Sequence, residues 1–208
     1  MNGDSGGVIR AFIAVAISSE VRRALGELQS TLRRRGVSLR WVPPENLHFT
    51  LKFLGDIDPA LVEPMGKALR ALAARIRPFR LSVGGVGAFP NLRAPRVLWV
   101  GLRQGAEPLM ALAEEVSRLV RDFPTQADSK PFKPHLTIAR VRERRPQRIV
   151  IPETLLGAGF GSCPCDRLLL MKSDLLPSGA RYTPLVEAAF GIWSNSMALL
   201  ADAGHNLS

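Results

Sequence analysis

The sequence predicts an α+β protein of mostly antiparallel sheets with helices packed on their outer faces, and three observations carry that prediction. Strand-like apolar runs and amphipathic stretches follow one another in the order strand, helix, strands, helix, strands. No Gly-rich phosphate loop links a strand to a helix. One tetrapeptide pattern, His-apolar-Thr-apolar, occurs twice, once in each half of the chain.

The elements follow in chain order. Val8 to Ile17 (VIRAFIAVAI) is β-branched and apolar, which reads as a buried strand. Ser18 and Ser19 then offer an N-cap, with Glu20 in the first turn. Ala24, Leu25, Leu28 and Leu32 recur at helical spacing until Gly36 closes the helix. Leu39 to Val42 is a short strand stopped by Pro43-Pro44, and Leu47 to Leu54 alternates and carries the first histidine. Asp58 and Pro59 open a helix to about Ile76, with Pro59 suited to its first turn. Arg80 to Phe89 and Val97 to Leu102 read as strands around a turn-rich segment. A second amphipathic helix spans Glu107 to Arg121. The Pro-rich approach Lys130 to Pro134 leads into the strand His135 to Val141, and Arg142 to Pro146 is a charged loop. Asp166 to Lys172 and Ala180 to Phe190 complete the strands. Residues 8–192 are expected to form a single domain, with 193–208 a tail in which the alternation lapses.

The length of 208 residues, with 46% apolar and 22% charged, is ordinary for a soluble domain with a sizeable core. Lys and Arg total 28 against 18 acids, a net charge of +10 that favours a polyanionic partner. A genome rich in Arg codons produces the same excess, so charge alone leaves that partner open. No apolar run approaches the roughly 20 residues that cross a bilayer. The first seven residues lack the basic-then-apolar order of a signal peptide, so a cytoplasmic location without membrane contact is expected. Cys163 and Cys165 are too close to pair well and too few to bind zinc, so reduced thiols are expected.

The repeated pattern is the informative feature. His48-Phe49-Thr50-Leu51 and His135-Leu136-Thr137-Ile138 each follow a proline-containing turn. Alternate residues of a strand share a face, so each strand supplies one imidazole and one hydroxyl to the same side. Two copies in matching context suggest two lobes placing these strands across a shared cleft. Imidazole can take a proton from water or give one to a leaving alkoxide, and threonine hydroxyls can hold non-bridging phosphate oxygens. A metal site is the competing reading. No Asp, Glu or Cys joins either histidine face, and Lys52 extends the first one with a positive charge that opposes a divalent ion. No GxSxG elbow supports a serine hydrolase.

These segments, with Arg10-Ala11-Phe12-Ile13-Ala14, Arg40-Trp41-Val42-Pro43-Pro44-Glu45-Asn46, Gly87-Ala88-Phe89-Pro90, Arg96 to Gly101 and Gly179-Ala180-Arg181-Tyr182, resemble the two-histidine HxTx phosphoesterases. Within that superfamily they resemble the RNA 2′,3′-cyclic phosphodiesterases, also called 2′-5′ RNA ligases. The resemblance implies a bilobal α+β fold with a pseudo-two-fold axis and one HxT strand per lobe. It implies cofactor-free and metal-free hydrolysis of RNA 2′,3′-cyclic phosphate ends to 2′-phosphomonoesters; a monomer is expected, and reversible 2′-5′ ligation is an alternative, since the same site can run the reaction backwards. It makes His135 the base, His48 the acid, and Thr50 and Thr137 the phosphate holders. It also makes Arg140 a phosphate contact, although strand parity sets Arg140 opposite His135 unless the strand bulges. Phe12 could stack a base or sit in the core, and Arg10 and Lys52 are further candidate phosphate contacts. Alternatives are another cyclic or 2′-5′ nucleotide substrate, or an RNA-binding module without catalysis.

Overall fold

In the computed structural model, which describes residues 7–36, 39–141 and 148–192, the chain starts with β1 (Ile9–Ala16), buried throughout from Ala11 to Val15. Helix α1 (Ser19–Arg34) is capped by Ser18, whose hydroxyl accepts from Val21 N at 3.2 Å, and ends on Arg33 and Arg34, which suit the negative end of the helix dipole. Its buried stripe is Val21, Leu25, Leu28, Gln29 and Leu32. After β2 (Arg40–Trp41) the two prolines force a 3₁₀ turn, and β3 (His48–Ile57) carries the first HxT motif. The Asp58 carboxylate accepts from Ala60 N at 2.8 Å, starting a 3₁₀ turn before α2 (Val62–Ala73). That helix stops short of Ile76, ahead of Arg77-Pro78, where α geometry is disfavoured.

The strands β4 (Phe79–Phe89) and β5 (Val97–Gln104), helix α3 (Ala106–Val120) and β6 (Leu136–Arg140) match the sequence reading closely. Two elements do not appear in that reading: a short helix α4 (Glu153–Leu156) and the strand β7 (Gly159–Cys165). β7 holds Gly159, Gly161 and Pro164, which mask a strand signal. A sheet edge tolerates them, and among the described residues β7 pairs only with β4. The hairpin β8 (Arg167–Leu176) and β9 (Gly179–Ala189) closes the fold. The charged loop Arg142 to Pro146 and the tail 193–208 lie outside the described residues. Cys163 and Cys165 are free and buried, and burial pushes the Cys163 thiol up, away from nucleophilic chemistry.

Among the described residues all pairings are antiparallel and form two sheets, ordered β3-β1-β8-β9 and β2-β6-β5-β4-β7. The expected two-sheet α+β architecture is present, with one HxT strand in each sheet. Helix α2 packs on β8 and β9, and α1 packs on β7. The two HxT strands meet directly, β3 against β6. The approach to β6 is tied to the free edge of β3, where Gln126 N donates to Leu54 O at 3.1 Å. Gly55, at φ +70°, permits this approach, because a side chain there would press on Gln126.

Candidate active site

The first histidine is fixed by its own strand entry. His48 Nδ1 lies 2.6 Å from Asn46 O, and a carbonyl can only accept, so the proton sits on Nδ1. Nε2 is thereby left as the nitrogen that exchanges protons, and it lies 2.7 Å from Thr50 Oγ1. The neutral ring accepts from the threonine hydroxyl; the charged ring donates to it and frees that hydroxyl's hydrogen to point elsewhere. Asn46 is anchored in turn, its side chain donating to Ala180 O on β9 at 2.8 Å. Phe12 stacks on the imidazole with ring centroids 4.8 Å apart, and Tyr182 meets it edge-on at 5.3 Å.

The second histidine repeats the device. His135 Nδ1 lies 2.6 Å from Lys133 O, again two residues back, so the neutral ring again carries its proton on Nδ1 and leaves Nε2 without one. Phe89 meets this ring edge-on at 5.1 Å and contacts Trp99 at 5.3 Å. Trp99 lies opposite Gly87, where a Cβ would come within 2.3 Å of the indole. The glycine is therefore the seat of that ring.

Between Thr137 and Ala139 the register slips by one residue: Thr137 faces Trp99, while Ala139 faces Leu98. Ile138 is the extra residue of a β-bulge, and the bulge turns Arg140 onto the face of Thr137 and His135. The bulge is clamped from α1. Gln29, 3% exposed, donates through Nε2 to Val42 O at 2.7 Å and to Ile138 O at 2.9 Å.

Burial holds both imidazoles below their ordinary value, against the opposing pull of the carbonyl each one contacts. His135 is lowered further by the Arg140 guanidinium. Both rings are therefore mainly neutral at pH 7 in the free protein. Among the described residues no three His, Cys, Asp or Glu side chains gather as a metal-ligand set.

A family model described as "LigT like Phosphoesterase" matches this chain twice, over residues 15–99 and 100–182, with one HxT strand in each match. The chain belongs to the LigT-like phosphoesterases. It is 34% identical over 188 residues to an Aquifex aeolicus protein named RNA 2′,3′-cyclic phosphodiesterase, covering 88% of this chain and 98% of that one. A Thermus thermophilus protein of the same name is 38% identical over 193 residues, covering 85% and 88%. Among solved structures, one from Thermus thermophilus superposes with a TM-score of 0.76 at 34% identity, covering 88% of this chain and 98% of the other. E. coli LigT complexed with 3′-AMP superposes at 0.72 with 25% identity, covering 89% and 99%.

The structure sets His48 beside Thr50 on β3, and Thr137 and Arg140 on one face with His135 at β6, and it corrects two expectations. Phe12 is only 3% exposed, held under His48 and against Tyr182, 5.0 Å away, so it backs the imidazole and offers no face to a base. Lys52 does not extend the histidine face. A register slip at Leu51 sets it opposite Ile13, and its ammonium donates to Asp128 O at 2.5 Å beside a cavity of about 810 Å³ between α3 and residues 125–132. Phe53 takes its place on the face, opposite Phe12. Arg10 is exposed and shares the Phe12 face of β1, with Asp56 as its cross-strand partner. The residues that sequence reasoning left without a role are Tyr182, Asn46, Phe89, Trp99 and Gln29. Tyr182 is the single tyrosine of the chain, and Gln29 stands on the apolar stripe of α1, four residues after Leu25. Both positions were visible as anomalies.

Proposed function

We propose that this phosphoesterase hydrolyses 2′,3′-cyclic phosphate ends of RNA to 2′-phosphomonoesters by histidine acid–base catalysis that needs no metal. The observation that carries the reading is the matched pair of Nδ1–carbonyl contacts, which leaves one Nε2 on each HxT strand for proton transfer. His135 Nε2 removes a proton from water as the water oxygen bonds to phosphorus. The P–O3′ bond breaks, and His48 Nε2–H protonates the departing oxygen. The Arg140 charge favours neutral His135, which suits the base. Once charged, His48 turns its Nε2–H from Thr50 Oγ1 to the departing oxygen, and the Thr50 hydroxyl, no longer held by Nε2, donates to a non-bridging oxygen, which suits the acid. Thr137 and Arg140 supply donors from the other sheet as negative charge builds on the phosphate. With an RNA 5′-hydroxyl in place of water, the same proton moves join the ends through a 2′-5′ bond. The relatives named RNA 2′,3′-cyclic phosphodiesterase support this choice of substrate.

The test is turnover of an RNA with a 2′,3′-cyclic phosphate end in the presence of EDTA, with identification of the product isomer. Full activity and a 2′-phosphate product are expected. Activity that disappears with EDTA would sink the metal-free mechanism, and tight RNA binding without turnover would favour a binding module. His48→Ala and His135→Ala are each expected to lower kcat by roughly 10²–10⁴-fold. Undiminished turnover in either variant overturns the assignment.

A further inference from the structure

Strand β2 is the free edge of the second sheet, and its register sets Arg40 directly opposite Arg140. Opposed residues on antiparallel neighbours point to the same side, so Arg40 shares the face of Arg140, Thr137 and His135. Both arginines are exposed, and among the described residues neither side chain has an ion pair or a hydrogen bond. Like charges placed this way repel and destabilise a sheet, and a bound anion between them reverses the sign of that interaction. Lys133 adds a third exposed charge nearby, its ammonium 5.8 Å above the Phe89 ring that contacts His135.

The first sheet is different. There Arg10 stands opposite Asp56, and Lys172 and Arg181 both reach Asp174, at 3.3 and 3.5 Å. The first sheet thus sets a carboxylate beside each of these cations, whereas Arg40 and Arg140 face one another.

We propose that Arg40 forms a second phosphate subsite, which holds the backbone phosphate next to the cyclic end of an RNA strand. The strand then leaves the histidines across the edge of the second sheet. Arg140, beside His135, serves the reacting phosphate; Arg40 lies one strand, about 4.8 Å, farther out. Its long stem carries the guanidinium the rest of the way to the adjacent phosphate. This inference rests on the cyclic-phosphate reading above, and it gives the enzyme a preference for an RNA chain over a single nucleotide.

The experiment compares kcat/KM for a nucleoside 2′,3′-cyclic phosphate, which has no second phosphate, with that for a short RNA ending in the same nucleoside. In the parent protein the RNA is preferred. In Arg40→Gln the ratio of RNA to nucleotide kcat/KM falls about tenfold. The slope of log kcat/KM for RNA against log salt also becomes shallower by about 0.7. The variant melts no lower than the parent, because a repulsion has been removed. A ratio that stays within twofold overturns the subsite, whether both activities drop or neither does. A parent without RNA preference, or a fall in Tm that marks Arg40 as structural, overturns it equally. If the parent hydrolyses neither substrate, the cyclic-phosphate reading fails and the subsite fails with it.

Discussion

Replacing Gln29 by methionine tests whether the bulge at Ile138 is what presents Arg140 to the active site. The change keeps side-chain length and removes both amide donations, to Val42 O and Ile138 O. The Ile138 carbonyl retains a bond from Val42 N at 3.0 Å, so only the Val42 carbonyl is stranded. One stranded carbonyl costs about 1–3 kcal/mol and one further lost hydrogen bond about 0.5–1.5 kcal/mol. The apolar methionine offsets part of this, leaving about 2 kcal/mol. For a chain of this length that lowers Tm by roughly 4–8 °C in a melt followed by circular dichroism. The loosened bulge also weakens the Arg140 contribution, so kcat/KM falls in the parent background. In an Arg140→Gln background the same substitution has little further effect, because the two act on one interaction. A Tm within 1 °C of the parent refutes the clamp. A Gln29→Met effect that adds in full to Arg140→Gln refutes its route through the arginine.

Titration gives two further expectations. Both imidazoles are held below 6.5 in the folded protein, so the unfolded chain binds more protons in the window beneath that value. Their contribution to stability is complete above pH 6.5 and is lost as the pH falls, so Tm drops between pH 7 and 5. A His48→Gln, His135→Gln double variant flattens that drop, and an equally steep drop in the variant contradicts it. The proposed mechanism needs one ring charged and one neutral, so kcat/KM is expected to peak between two lowered values, on the acid side of pH 6.5. A pH–rate profile with its maximum above pH 7.5 disproves this. Gly87→Ala forces Trp99 off its seat at a cost of about 1–3 kcal/mol, which lowers Tm by roughly 2–12 °C. It also reduces turnover, because Trp99 supports the Phe89 ring against His135. An unchanged melt shows that the indole moves freely.

The alternation of LHFTLKFL and HLTIAR was enough to place both histidines and both threonines, because a strand's two faces follow from the chain itself. The bulges at Leu51 and Ile138 were not legible. Each depends on which residue the neighbouring strand presents, and each reverses the facing of what comes after it. That single effect moved Lys52 away from the histidine face and brought Arg140 onto it. Phe12 lies in an unbroken apolar run, which gives a strand but not the ring that covers it. Tyr182 reaches His48 only through the pairing of β8 with β9, a contact across more than half the chain. Gln29 could have been found: it is the one polar side chain in the buried stripe of α1, and a buried amide there needs partners.

The strand order of the first sheet has a consequence for how the enzyme comes into being on the ribosome. β1 and β3, made first, are held in place by β8 and β9, made last. In the second sheet, β4, β5, β6 and β7 are consecutive in the chain and can assemble as they emerge. The half bearing His48 therefore waits, with an open β1 edge, until the segment after Arg167 has been synthesised. The second sheet, which carries the other HxT strand, can complete before the first.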